Sequence, residues 1–263
     1  MTALTYTLSD SATMLRRNLR RLQRYPSMTV LLVGMPIVFL LLFVYVFGGQ
    51  LGTGLASGQS GRRDYLEYVV PGILLMTIAA SVQGTAIVVA MDMTAGIIDR
   101  FRTMAIARPA VLAGHVIAAM IQTFLGLTIV IGVAIALGFR PTANPGAWLA
   151  TIGILALFGF ALVWLATALG LAAKSVETAS NTPMFLTLLP FLGSGFVPTD
   201  TMQGGLRQFA EYQPFTPVTE TVRGLLNGSP IGNHAIAAIG WSIGIAIASY
   251  LWALRLYINR QPR

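Results

Sequence analysis

The sequence predicts an all-α membrane protein, and three observations carry that prediction. Hydrophobic residues make up 55% of the 263 positions and charged residues only 10%, whereas soluble domains carry about a quarter charged residues. Apolar runs near the roughly 20 residues needed to cross a hydrocarbon core recur along the chain. The basic residues also alternate between rich and poor connecting segments. A soluble enzyme is excluded on these grounds. The absence of cysteine further removes disulfides, thiolate nucleophiles and cysteine metal sites.

Six transmembrane helices are expected, at 28–47, 69–91, 112–138, 147–173, 182–197 and 235–254, as one transmembrane domain over 28–254. The first run is longer than a signal-peptide core and is read as a retained span. The fifth is short and holds Pro183 and Pro190, so it is expected to bend or stop below full depth. Six spans place twelve basic residues with the termini and the 92–111 and 174–181 loops, against five on the other side. By the positive-inside rule both termini are cytoplasmic, with the tail at 255–263. The formal +8 charge then belongs to membrane topology, and no nucleic acid is needed to explain it.

Ahead of the first span, residues 1–27 are expected to form a cytoplasmic, interfacial segment. Leu8, Ala12, Leu15, Leu19 and Leu22 recur at helical spacing, with Arg16, Arg17, Arg20, Arg21 and Arg24 around them. That pattern predicts an amphipathic helix lying in the interface, leucines toward acyl chains and arginines toward membrane lipid headgroups. Between the second and third spans, Asp92, Asp99, Arg100, Arg102 and Arg108 surround Ile97, Ile98, Phe101 and Met104, the pattern of a short amphipathic cytoplasmic helix. The 198–234 segment, punctuated by Pro198, Pro214, Pro217 and Pro230, predicts short helices folded back onto the outer surface. In the last span Gly240, Gly244 and Ala248 form a small-residue ridge that packs either within the chain or at a subunit interface.

Little in the sequence offers chemistry. There is no G-x-x-x-x-G-K-[ST] loop to cradle phosphates. His115 and His234 fall at opposite membrane sides without an acidic ligand set, so no metal site and no catalytic residues are expected; His115 reads as an interfacial polar residue. The span interiors hold neutral polar residues instead of the ionisable groups common in ion-coupled carriers. Thr77, Ser81, Gly84 and Thr85 share a face of the second span that either lines a cavity or packs on a neighbour. Thr77, Ser81 and Thr85, with Gln122 and Thr187, are the candidate substrate path, suited to a bulky apolar or amphipathic solute.

The basic N-terminal helix, the six spans, the loop GIIDRFRTMAIARPAVLAG and the stretch GSGFVPTDTMQGGLRQFAEYQPFTPVTETVRGLL occur together. This combination resembles the type-2 permease subunits of ATP-binding cassette exporters, particularly the daunorubicin-resistance-type drug permeases of actinobacteria. The resemblance runs through essentially the whole chain. It departs at Gly205, where many relatives have Trp, and at Thr94 and Ala95, where many have a charged pair. The resemblance implies a bacterial plasma-membrane subunit that binds no cofactor itself. Its partners would be a second permease chain, identical or homologous, and ABC ATPase subunits carrying the ATP and Mg. It also implies that 96–108 is the ATPase-coupling region, with Gly96, Ile98, Asp99, Arg100, Phe101, Arg102 and Arg108 as its residues. The stretch 199–227 would be an external re-entrant segment. A self-sufficient carrier or channel for a neutral hydrophobic solute is the alternative.

The charge count makes a testable statement about topology. Alkaline phosphatase fused after Arg263 should be inactive and a fluorescent protein fused there bright; an active phosphatase would mean an odd number of spans. Cysteines placed at Ser60 and Asn227 of this cysteine-free chain should react with an impermeant reagent from outside intact cells.

Overall fold

A computed structural model of the protein describes residues 13, 15–18, 20, 24, 26–49, 61–95 and 108–259. Among these residues the secondary structure is helical, with no strand. Helix α1 (Pro26–Leu42) continues as a π-helical turn, Phe43–Phe47. Three long helices follow: α2 (Gly61–Thr94), α3 (Arg108–Ala136) and α4 (Pro145–Ala172). Four short ones come next: α5 (Val176–Asn181), α6 (Met184–Leu188), α7 (Gly204–Tyr212) and α8 (Phe215–Asn227). The last is α9 (His234–Asn259).

Helices α2, α3, α4 and α9 are long and apolar enough to cross a membrane, and they match four of the six expected spans. The other two take shorter forms. In the first, the apolar helix runs from Leu32 to Phe47 and contains Pro36 and the π turn. The expected 182–197 span is not a continuous helix: α6 ends at Leu188 and turns occupy the positions up to Gly195. Pro183 and Pro190 lack an amide N–H, and Gly193 and Gly195 add backbone freedom, so helical hydrogen bonding cannot propagate.

Local signals set the ends. Asn144 caps α4, accepting from the Ala147 amide at 2.8 Å, with Pro145 at the first helical position. Gly228, at φ 73°, closes α8 in the left-handed conformation that glycine adopts without a Cβ penalty. Helix α2 is the centre of the bundle. Tyr65, Val69, Ile73, Leu74, Ile78 and Val82 along it are each no more than 1% exposed, and it packs on α1, α3, α4, α5 and α8. Its approach to α4 is close because Gly170 has no side chain: a Cβ there would lie 2.7 Å from the Ala86 carbonyl oxygen.

Helix α9 lies along α4 and α8, burying Ala238, Ser242, Ser249 and Ala253. Its small-residue ridge does not make that contact. Gly240, Gly244 and Ala248 are exposed, and nothing lies within 4 Å of a Cβ built on either glycine. Among the described residues, then, the ridge faces away from the rest of the chain. A second core at the opposite end of α9 gathers Val89, Leu112, Val116, Trp164, Leu171 and Tyr257 from four helices.

The tightest backbone contact joins α2 to the broken segment. A Cβ on Gly72 would collide with the Gly195 carbonyl group, its carbon at 2.7 Å and its Cα at 2.8 Å. Gly72→Ala should therefore destabilise the protein by about 1–3 kcal/mol, the usual cost of overpacking. Gly153→Ala, where nothing lies within 4 Å, should be neutral or gain up to about 1 kcal/mol from helix propensity. Thermal unfolding in detergent distinguishes the two variants.

Candidate functional site

Two polar clusters hold the bundle, one at each end. The first lies where the N-terminal helical segment meets the end of α2 and the start of α3. Arg17 Nη2 donates to Asp92 Oδ2 at 2.7 Å, and His115 Nε2 lies 3.3 Å from the same oxygen. The Asp92 and His115 side chains are each only 3% exposed. A buried carboxylate is costly unless paired and hydrogen-bonded, and here two donors from separate elements supply the pairing. The sequence places Asp92 in a loop and reads His115 as an interfacial residue without an acidic neighbour. Both expectations are corrected: α2 runs on to Thr94, carrying Asp92 inside the bundle and against His115. Hydropathy ended the span at residue 91 because a charge follows, and nothing in the linear order placed His115 beside it.

Beside this cluster is a cavity of about 40 Å³ lined by Asn18, Gly84, Thr85, Val88, His115, Ala118, Ala119 and Gln122. Two of the expected path residues, Thr85 and Gln122, thus meet at one site. The others do not join them. Thr77 and Ser81 are buried, with their hydroxyls donating to the carbonyls of Ile73 and Ile78 at 2.8 and 2.6 Å. Thr187 bonds the Met184 carbonyl on α6. Such bonds to the preceding turn satisfy a hydroxyl without any partner helix. Arg16, Arg20 and Arg24 of the N-terminal segment are exposed, whereas Arg17 is turned inward to Asp92. Arg21 lies outside the described residues, as do Gly96, Ile98, Asp99, Arg100, Phe101 and Arg102; Arg108 is the first residue of α3.

The second cluster, at the other end, is built on Arg223 of α8. Its guanidinium donates to the Tyr68 carbonyl at 3.1 Å and the Ser194 carbonyl at 2.7 Å. It stands 3.8 Å from the Tyr68 ring centroid and pairs with Glu220. Next to it, Asn227 Nδ2 donates to the Glu67 carbonyl at 3.0 Å. Pro71 explains that bond, since it has no N–H to return to the carbonyl four residues back. Gln213 Nε2 reaches the Leu189 carbonyl at 3.2 Å, and Thr216 Oγ1 accepts from the Ser194 amide at 3.3 Å. In the sequence Arg223 reads only as one external charge. Phe43, Phe191 and Phe196 stack over this region, with centroids 4.6 Å apart for both Phe43–Phe196 and Phe191–Phe196.

Helices of this length and apolarity, closed at both ends by buried polar contacts, define a multi-pass membrane protein without a catalytic constellation among the described residues. Residues 11–227 match the sequence profile of the ABC-2 type transporter. The chain belongs to that family. It is 28% identical over 257 residues to a daunorubicin resistance ABC transporter permease protein of Streptomyces coeruleorubidus, covering 96% of this chain and 87% of the relative. It is also 24% identical over 242 residues to a probable doxorubicin resistance ABC transporter permease protein of Mycobacterium tuberculosis, covering 89% and 84%.

The Arg17–Asp92 contact should show as energetic coupling. Arg17→Ala and Asp92→Asn should each lower stability, and the double variant should lose less than their sum, by about 0.5–3 kcal/mol. Strict additivity in denaturant unfolding would mean that the contact contributes nothing.

Proposed function

We propose that this chain is the membrane-spanning permease subunit of an ABC exporter, moving a hydrophobic or amphipathic substrate outward with ATP hydrolysed by a separate partner. The observation that carries the proposal is the extent of the family match, residues 11–227, in a chain with no phosphate-binding loop of its own. Membership of this family implies an ABC ATPase partner. Similarity to drug-resistance permeases supports an apolar or amphipathic cargo.

In this reading both termini and the 95–107 connection face the cytosol, and two permease chains, identical or homologous, form the complex. Residues 96–108 dock on the ATPase. Asp92 is three residues before Ala95, and His115 is two turns into α3, so the Arg17–Asp92–His115 contact spans the root of that connection. Movement of the loop then reaches the N-terminal segment directly through a buried ion pair. The 199–227 stretch forms the external closure, held by Arg223. The chain takes no part in the phosphoryl chemistry; its role is to convert docking motion into rearrangement of the helices.

Purified alone, the chain should neither bind nor hydrolyse ATP, and transport should require an ABC ATPase. Phe101→Ala should weaken ATPase association by about 2 kcal/mol or more, as for a buried aromatic anchor, at normal protein abundance. Wild-type association in that variant would remove the docking role of 96–108. Gradient-driven transport by the chain alone in proteoliposomes would favour a self-sufficient carrier instead.

A further inference from the structure

Helix α7 carries charge to a depth where the protein around it is apolar. It runs from the short turn at Thr199–Thr201 to Gln213. Gln213 Nε2 bonds the Leu189 carbonyl, and Phe215 just beyond meets the Phe158 ring edge-on, with centroids 5.0 Å apart. Phe158 stands at the middle of α4, which spans Pro145–Ala172. The end of α7 is therefore near the level of the middle of a membrane-spanning helix, and its first residue is about 12 Å from its last. On this stretch Arg207 Nε and Glu211 Oε1 lie 2.7 Å apart, with side chains 51% and 37% exposed. A similar pair, Arg63 and Glu67 at 3.3 Å, opens α2 ahead of its apolar run and can sit in water. Arg207 and Glu211 lie deeper, where a charged side chain faces protein or a water-filled cavity and not acyl chains. Ala210 is the buried residue of α7, so among the described residues the charged face is uncovered.

Helical spacing sorts the surface of α7. At about 100° per residue, Arg207, Gln208 and Glu211 share one face, while Leu206, Phe209 and Tyr212, also exposed, share the next. The polar face is self-complementary, a cation and an anion one turn apart. Two copies inserted in the same sense are related by a two-fold axis along the membrane normal, which puts their α7 helices at equal depth. The arginine of each can then reach the glutamate one turn on in the other, as charges do across the seam of a parallel coiled coil. We propose that α7 joins this chain to a second, identical copy through that face, with Arg207 and Glu211 paired reciprocally between the copies. This deepens the exporter reading and rests on its pair of permease chains, to which it gives an identity and a surface. The apolar face of α7 is left for lipid.

The test needs no ATPase. Two differently tagged copies of the full-length chain are co-expressed, and one tag is used to capture the other from membranes in mild detergent. Arg207→Glu makes the charged face wholly acidic, and Glu211→Arg makes it wholly basic. Each variant co-expressed with itself should be captured about tenfold less than wild type, because like charges then oppose each other twice. Arg207→Glu co-expressed with Glu211→Arg should regain wild-type capture. A pair that acts only within one chain gives no such rescue, since both variants still lack it, and a misfolded variant gives none either. In this cysteine-free chain, Gln208→Cys should also cross-link two copies in the membrane through a short bifunctional thiol reagent. Undiminished capture of the single variants, or an absent rescue in the mixed pair, would overturn the proposal and leave the face to a water-filled route. Cross-linking at Gly244→Cys on the α9 ridge and not at Gln208→Cys would overturn it by placing the second copy elsewhere. ATPase association and ATP-driven transport are measured separately, so failure here is distinguishable from failure of the exporter reading.

Discussion

Backbone amides and carbonyls in apolar surroundings must find partners within the protein, and the break after α6 is where this constraint bears hardest. A continuous helix satisfies itself; a helix interrupted by Pro190 and two glycines does not. The freed groups are met one by one. Leu189 O accepts from Gln213, Ser194 O from Arg223 and from Tyr68 at 2.9 Å, and Phe196 O from Tyr65 at 3.3 Å. The Ser194 amide finds Thr216. Every one of these side chains belongs to α2, to α8 or to the turn leading into α8. The position of α8 against the bundle is thus the condition for having the break at all.

The other end of the bundle obeys a related rule with charge in place of backbone. Asp92 is acceptable inside because Arg17 and His115 surround it. The two clusters differ in what they join. Arg223 fixes elements that face the external side in the exporter reading, whereas Asp92 connects the N-terminal segment with both helices flanking the 95–107 connection. A contact placed there can register movement of that connection, which a purely apolar packing could not do with the same directionality.

Much of the architecture was legible in sequence because it rests on apolar length. The runs that became α2, α3, α4 and α9 could be read from hydropathy, and Pro183 and Pro190 announced that 182–197 would not be an ordinary span. Neither cluster was legible. Asp92 looked like the first residue of a loop, since hydropathy windows end at a charge whether or not the helix does. Arg223 looked like a solvated cation, because its acceptors are carbonyls 29 and 155 residues away, and carbonyls leave no trace in a sequence. The weak signal that existed was Pro71 near the start of an apolar run, which guaranteed an orphaned carbonyl at Glu67 but not that Asn227 would answer it. The ridge on α9 could be read as a pattern, yet only the fold shows that it turns away from its own chain.

The arrangement around the break also bears on how the chain is made. The ribosome delivers residues in order, at about 5–20 per second, so the 189–196 carbonyls are synthesised before Gln213 and Arg223. For an interval of seconds this part of the nascent chain carries unpaired backbone groups that neither lipid nor the helices already inserted can satisfy completely. It must wait near water or within the insertion machinery until α8 arrives to seat it. Biogenesis of this protein therefore has a late step, in which a segment already synthesised is drawn into place by one synthesised after it.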